Sequence, residues 1–214
     1  MHFEFLVEDQ SGSRAMEILL PKLLGDKASY RIKGYKGLGH LPKGLQPKSD
    51  AKKRILLDQL PRLLRGYGRV PNFGCIIIIC DLDDRNEKRF LSELNGVLNN
   101  CNPKPAACFC LAIEEFEAWY LGDLAAVRKA YPKAKGIVLN GYENDSICGT
   151  WELLADAVCK GGSMALIKEG WQAIGKQKSV WAEEISPHMN VDSNISPSFK
   201  KMLLQLRSIA VKAV

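Results

Sequence analysis

One stretch of the sequence constrains the fold more than any other. Residues 73–84 read Phe-Gly-Cys-Ile-Ile-Ile-Ile-Cys-Asp-Leu-Asp-Asp, so the most apolar run of the chain passes directly into three carboxylates. A half-buried strand would alternate polar and apolar residues, and this unbroken run instead predicts a strand covered on both faces, as in a parallel sheet. A buried helix is disfavoured, because the span is short and four consecutive isoleucines would lose side-chain freedom in a helix.

Asp81 and Asp83 stand at the end of this predicted strand, which is where open α/β sheets bind their ligands. Neighbouring carboxylates repel one another unless a cation joins them, and hard oxygen ligands suit Mg²⁺ or Mn²⁺. The Asp-x-Asp pattern at a strand end therefore predicts a metal site. An alternative is that Asp83, Asp84 and Arg85 cap the helix that follows.

Acidic residues also follow two other predicted strands. Glu8 comes directly after a strand predicted at 2–7, and an apolar run at 106–113 is followed by Glu114, Glu115 and Glu117. Parallel strands bring their carboxyl ends to one edge, so three such coincidences predict a shared acidic pocket on a mostly parallel α/β sheet flanked by helices. Because glutamate is common in first helical turns, we expect two of the three glutamates to cap a helix or to be solvated.

Helical patterns connect these strands and then dominate the end of the chain. A helix capped by Ser11 or Ser13 is predicted after the first strand, and another over 85–98. Short helices are predicted at 150–159, 163–168, 171–185 and 196–206, with a loop at 136–145. We therefore predict an α/β domain over 1–133 and a helical extension over 134–214 packed on it. The tryptophans expected to pack in the core or between these parts are Trp151, Trp171 and Trp181.

A basic, glycine-rich loop follows a second predicted strand at 28–33. It spans 34–44 and contains Lys36, His40 and Lys43, within a longer basic region that runs from 22 to 69. Glycine lets the backbone approach phosphates closely, so these three side chains are candidates for holding a nucleic-acid backbone. A nucleotide-binding P-loop is disfavoured, because no Walker Lys-Ser/Thr pair follows. The alternative is an ordinary exposed loop.

The bulk properties fit a single globular domain with at most a small appendage. The chain has 214 residues, 46% of them hydrophobic, and a formal net charge of +6 that permits an anionic partner. Its seven cysteines form no C-x-x-C pair and resemble the reduced core residues of a cytoplasmic protein. Neither a signal sequence nor a membrane-spanning run is recognisable, so we expect no membrane partner.

Several blocks of the sequence resemble the TOPRIM domain, the metal-binding α/β module of topoisomerases, primases and OLD-type defence nucleases. Glu8 after the first strand and Asp81-Leu82-Asp83 after a central strand carry that resemblance. The blocks at 6–12, 115–123 and 194–199 look more specifically like a TOPRIM-related family of bacterial proteins of unknown function, often associated with ATPase partners. The resemblance implies a TOPRIM-like (Rossmann-like) domain over 1–133, Glu8 as general acid/base or metal ligand, and Asp81 and Asp83 as Mg²⁺ ligands.

Two main functional hypotheses follow. The first is a Mg²⁺- or Mn²⁺-dependent nuclease in which Glu8, Asp81, Asp83 and Glu117 form the catalytic pocket, and the resemblance implies a role in phage defence with an ATPase partner. The second is a non-catalytic subunit that binds nucleic acid or a partner protein, because Gly12 stands where OLD-type nucleases often carry a second acid. A phosphatase with Asp81 as covalent nucleophile is disfavoured, because the residues after Asp81 depart from the pattern of that class.

Overall fold

A computed structural model describes residues 1–25, 28–42 and 51–211 of the chain. Its centre is a four-stranded sheet in which every pairing is parallel and the strand order is β2-β1-β3-β4. The strands are β1 (His2–Val7), β2 (Ser29–Gly34), β3 (Cys75–Asp81) and β4 (Ala107–Ala112). The prediction of an α/β fold with a mostly parallel sheet is confirmed, and the arrangement is consistent with a Rossmann-like fold.

The isoleucine run forms β3, and both faces of this strand are buried as predicted. Every residue from Cys75 to Cys80 is at most 2% exposed. Because successive side chains of a strand point to opposite faces, Ile77 and Ile79 enter one apolar cluster and Ile76 and Ile78 enter the other. The sequence feature that most constrains the fold is therefore the strand that joins the two halves of the core.

Helices cover both faces of the sheet. The helix α1 (Gln10–Leu24) packs into the same cluster as Ile77, whereas α2 (Leu56–Gly68) and α3 (Glu87–Asn99) pack into the other. Their caps differ from those predicted. Asp9, not a serine, caps α1 by accepting from the N–H of Gly12, and Asn86, not residues 83–85, caps α3. Asp9 has the extended backbone conformation that an N-cap residue requires.

The segment after β4 is helical, as predicted. Its helices are α4 (Glu117–Leu121), α5 (Leu124–Ala130), α6 (Gly136–Asn140), α7 (Thr150–Val158), α8 (Gly162–Glu169), α9 (Trp171–Ile185) and α10 (Pro197–Val211). The four predicted helices are present with ends shifted by up to five residues. The expectation of a loop at 136–145 was wrong in its first half, where α6 forms a short helix that buries Leu139.

These later helices share the core of the sheet. Trp119 and Phe199 pack edge to face with ring centroids 5.6 Å apart, and the Trp119 indole N–H donates to Ser198 Oγ at 2.9 Å. Trp151 and Trp181 are buried as expected, but Trp171 is 83% exposed, so its assignment to the core was wrong. The boundary at 133 stays a prediction. Across the described residues, no helix combines the length and apolarity needed to cross a membrane.

Candidate functional site

Glu8 and Asp81 meet at the carboxyl edge of the sheet although 72 residues separate them in the sequence. Parallel pairing aligns Val7 of β1 with Ile79 of β3, and the N–H of Glu8 donates to the Ile79 carbonyl at 3.0 Å. The Asp81 N–H in turn donates to Glu8 Oε2 at 2.9 Å. The predicted adjacency of these two acids at one edge is therefore present in the fold.

Burial and mutual repulsion make both of these carboxylates hard to ionise. Desolvation is the main cause that raises the pKa of Glu8 to about 7, and the negative charges of Asp83 and Asp9 add to it. The N–H of Asp81 and the charge of Arg85 oppose that rise. Burial, followed by the charge of Glu8, raises the pKa of Asp81 well above its ordinary value. A positive charge placed between them would relieve this cost.

Asp83 lies at the rim of the site in a left-handed backbone conformation, with φ of 50°. Its N–H donates to the Glu114 carbonyl at 2.8 Å, which forms an isolated bridge just beyond the ends of β3 and β4. The Asp83 side chain is 46% exposed and forms an ion pair with Arg85. Asp83 is therefore close enough to act on Glu8 electrostatically, but its carboxylate is already paired.

Lys178 of α9 is the residue of this site that the sequence patterns missed. Its side chain is only 15% exposed, and its Nζ lies 3.2 Å from Glu115 Oε1 and 3.3 Å from Glu117 Oε2. Burial lowers the pKa of Lys178, but the charges of Glu117, Glu115, Asp81 and Asp9 outweigh it, and the net shift is upward. Lys178 is thus a buried cation that pairs with two acids after β4 and interacts electrostatically with acids at the ends of β1 and β3.

The spacing of α9 carries a signal that points to Lys178. Positions 174, 178, 181 and 185 follow the i, i+4, i+7, i+11 spacing of one helix face, and three of them are the buried Ile174, Trp181 and Ile185. A lysine in the middle of such an apolar stripe requires a partner, because an unpaired charge is costly to bury. That irregularity marks the position without identifying its partners.

The three glutamates after β4 have different roles. Glu114 caps α7: its carboxylate accepts from the backbone N–H groups of Cys148, Gly149 and Thr150 at 3.2, 2.8 and 2.9 Å. Glu115 and Glu117 both face Lys178, so the expectation that two glutamates would be caps or solvated holds for one only. Burial raises the pKa of Glu115 to about 7, and it also raises that of Glu117.

The basic loop after β2 passes directly beside Glu8. The N–H of Gly37 donates to the Glu8 carbonyl at 3.0 Å, and the Lys36 N–H donates to the Arg54 carbonyl at 2.8 Å. The side chains of Lys36 and His40 are exposed. Lys43 lies outside the described residues. The loop is therefore placed where an anion bound at the acidic edge would meet it.

The residues predicted to bind metal match a divalent cation in chemistry but do not form a ready coordination shell. Within the described ranges, no group of three His, Cys, Asp or Glu side chains is close enough to share an ion. Glu8 Oε2 accepts from Asp81, and Asp83 pairs with Arg85. The donors are nevertheless all oxygen, and a bound Mg²⁺ or Mn²⁺ would favour the ionised forms of Glu8 and Asp81, whose pKa values are raised chiefly by burial.

Comparison with known proteins gives one family. The family model described as "Domain of unknown function (DUF4276)" matches residues 7–207, which is nearly the whole chain. No curated protein and no solved structure matches the sequence significantly. The matched range includes Glu8, the acids after β3 and β4, and Lys178.

Proposed function

We propose that this protein, which belongs to the DUF4276 family, is a divalent-metal-dependent nuclease of TOPRIM-like type that acts on nucleic-acid phosphodiesters. One observation carries the proposal: Glu8 and Asp81, from neighbouring parallel strands, are in contact at the carboxyl edge, where burial raises the pKa of each. Groups with perturbed pKa values at the ligand-binding edge of an α/β sheet are typical of functional sites.

Mg²⁺ or Mn²⁺ would be held by Glu8, Asp81 and Asp83, and when bound it would neutralise phosphate charge and lower the pKa of a coordinated water. The ion pair between Asp83 and Arg85 would have to break before Asp83 could bind the metal, so Arg85 would compete with the metal for this carboxylate. Arg85 would then be released beside the site, where a guanidinium can bind phosphate oxygens in a bidentate manner.

The side chains of the chain itself supply acid–base chemistry and charge. Glu8 would be either a metal ligand or, where it does not bind the metal, a general acid/base, because a pKa of about 7 lets it accept and release a proton near neutral pH. Lys178 remains protonated, and its ammonium has three N–H donors. Glu115 and Glu117 engage it among the described residues, which leaves one donor for a phosphate oxygen. Glu117 would therefore position Lys178 without touching the reacting atoms.

The wider setting is part of the same proposal. Lys36, His40 and Lys43 would contact the phosphate backbone beside Glu8. All seven cysteines are free, which fits a reducing, cytoplasmic site of action. An ATPase partner and a role in phage defence rest on the resemblance described for the sequence blocks.

Cleavage assays on DNA and RNA with Mg²⁺ and Mn²⁺ test the proposal. We expect wild-type protein to cut one of these polymers, Asp81→Asn to lose cleavage with an unchanged circular-dichroism spectrum, and Asp192→Asn to retain it. Asp192 is the matched control because its exposed carboxylate pairs with Arg207 on the surface. Absence of cleavage by the wild-type protein with every metal, even beside a partner ATPase, would refute the nuclease.

A second candidate is a non-catalytic subunit that binds nucleic acid or a partner protein. It is favoured by Gly12, which supplies no second acid, and a Cβ at this position would crowd Asp9 Oδ1 at 3.0 Å and Val7 Cγ1 at 3.1 Å. Calorimetric titration with Mn²⁺ separates the two candidates. Binding that disappears in Asp81→Asn supports the catalytic site, whereas no binding by the wild-type protein supports the subunit.

A further inference from the structure

Trp171 differs from the other three tryptophans of the chain. Trp119 and Trp181 are fully buried and Trp151 is 7% exposed, whereas Trp171, the first residue of α9, is 83% exposed. Tryptophan combines a large apolar ring with a polar N–H and is enriched at binding interfaces, so an exposed tryptophan is a candidate ligand contact. Its indole is therefore available as a flat apolar surface at a helix end.

The position of Trp171 relates it to the acidic site. Lys178 lies seven residues further along α9, and seven residues return a helix to within about 20° of the same face after about 10 Å of rise. Because Lys178 faces Glu115 and Glu117, Trp171 lies on the side of α9 that leads to them. The distance corresponds to about three stacked nucleotides at 3.4 Å each.

Trp171 lines a cavity of about 260 Å³ at the start of α9. Its lining includes Trp171, Trp151, Ile167, Ile174 and the carboxylate-bearing Glu152. The charge of Glu152 helps to raise the pKa of Glu115, so Glu152 lies within electrostatic range of the acids around Lys178. Apolar walls beside an exposed indole provide room for a planar ring.

We propose that Trp171 is a stacking platform for a base of single-stranded nucleic acid whose phosphate backbone extends to the acidic site. This inference rests on the proposed action on nucleic acid and adds the substrate class. Every base has a π face, so stacking on an indole is tolerant of sequence and holds a strand without base-edge hydrogen bonds. Bases of a duplex are already stacked on one another, and a single strand is the form that can offer one to Trp171.

Binding measured without turnover tests this inference. Fluorescence anisotropy would follow labelled 12-nucleotide DNA and RNA strands, and their duplexes, on Asp81→Asn protein. In that background we expect Trp171→Ala to weaken single-strand binding about 5- to 150-fold and Trp171→Phe to retain most of it. Leu204→Ala is the control, because Leu204 is another apolar side chain with 66% exposure, on α10, and it should leave binding unchanged.

The outcomes separate this inference from the proposed nuclease. Equal affinity of Trp171→Ala and its parent for single strands, with unchanged melting temperatures, overturns the stacking role, as does equal dependence on Trp171 for duplexes. If Trp171→Ala weakens single-strand binding but the wild-type protein cleaves no nucleic acid, the stacking platform is supported and the nuclease is refuted. Cleavage with an unaltered KM in Trp171→Ala supports the nuclease and refutes the platform.

Discussion

Replacing Glu8 by glutamine gives a direct measure of the electrostatic cost stored at the acidic edge. The pKa of Glu8 is about 7 in the folded protein against a usual value of about 4.5, and burial is the main cause. A carboxyl group with a raised pKa in the folded state favours folding at low pH, and that contribution is lost as the pH rises through the folded pKa. Stability in the absence of metal should therefore fall between pH 5 and pH 8.

The size of this effect follows from the two pKa values. As the pH rises from 5 to 8, ionisation of Glu8 stabilises the unfolded chain throughout this range. In the folded protein Glu8 ionises only near pH 7, so the folded state gains less from the same change in pH. Linkage then gives a loss of on the order of 2–3 kcal/mol from Glu8 alone, an upper bound because the folded site can relax. Glu8→Gln cannot ionise, and its amide oxygen can still accept from the Asp81 N–H.

Urea denaturation in the presence of EDTA at pH 5, 6, 7 and 8 measures the difference. We expect Glu8→Gln to be close to wild type at pH 5 and more stable by on the order of 2 kcal/mol at pH 8. Mn²⁺ should stabilise wild type at pH 8 and leave the variant unchanged. Glu93→Gln, at an exposed ion pair with Arg89 on α3, is the control and should shift equally at every pH. Parallel curves for wild type and Glu8→Gln would refute a strained carboxylate at this edge.

Three further changes test the surroundings of the site. Lys178→Met should lower the free energy of unfolding by about 3–5 kcal/mol at pH 8, because Glu115 and Glu117 lose their cation. The loss should be smaller at pH 5, where these carboxylates can take up protons, and urea denaturation at both pH values measures the difference. Gly122→Ala should lower the free energy of unfolding by about 1–3 kcal/mol, because the added Cβ would lie 2.3 Å from Asn194 Oδ1. Thermal melting measures this loss, and Gly141→Ala, where the nearest atom to the added Cβ is 3.6 Å away, should melt like the wild type. Glu114→Ala removes the cap of α7 and should cost about 1–2 kcal/mol, detectable as local loss of amide-exchange protection in that helix.

The sheet could be predicted because β3 and β4 are unbroken apolar runs and because acids stand at the ends of β1, β3 and β4. Parallel strands end at the same edge of the sheet, so the adjacency of Glu8 and Asp81 follows once β1 is parallel to β3. The helices of the last third were found for a related reason, since their apolar spacing is regular. Each strand and helix could be recognised within its own segment, and the rule that parallel strands end at one edge was enough to bring the acids together.

The parts that could not be predicted depend on contacts between distant segments. Nothing near Glu114 in the sequence shows that its carboxylate will reach the N-terminus of α7, more than thirty residues away. Tryptophan is a residue type that usually packs in a core, and only the packing of α8 and α9 leaves Trp171 exposed to solvent. Lys178 breaks an apolar stripe, which marks it as unusual, but its partners are fixed by the tertiary fold.

The distribution of charge narrows the place where a metal would act. Lys178 compensates Glu115 and Glu117, and Arg85 compensates Asp83. The Glu8 carboxylate instead accepts from the neutral backbone N–H of Asp81, and no ion pair to Glu8 or Asp81 is present among the described residues, so ionising these two acids is costly without an added cation. Because Lys178 belongs to α9, the charge balance of the edge depends on helices beyond residue 133 as much as on the sheet. The α/β segment alone would expose Glu115 and Glu117 without their cation, so we infer that the helical extension is a structural part of the site.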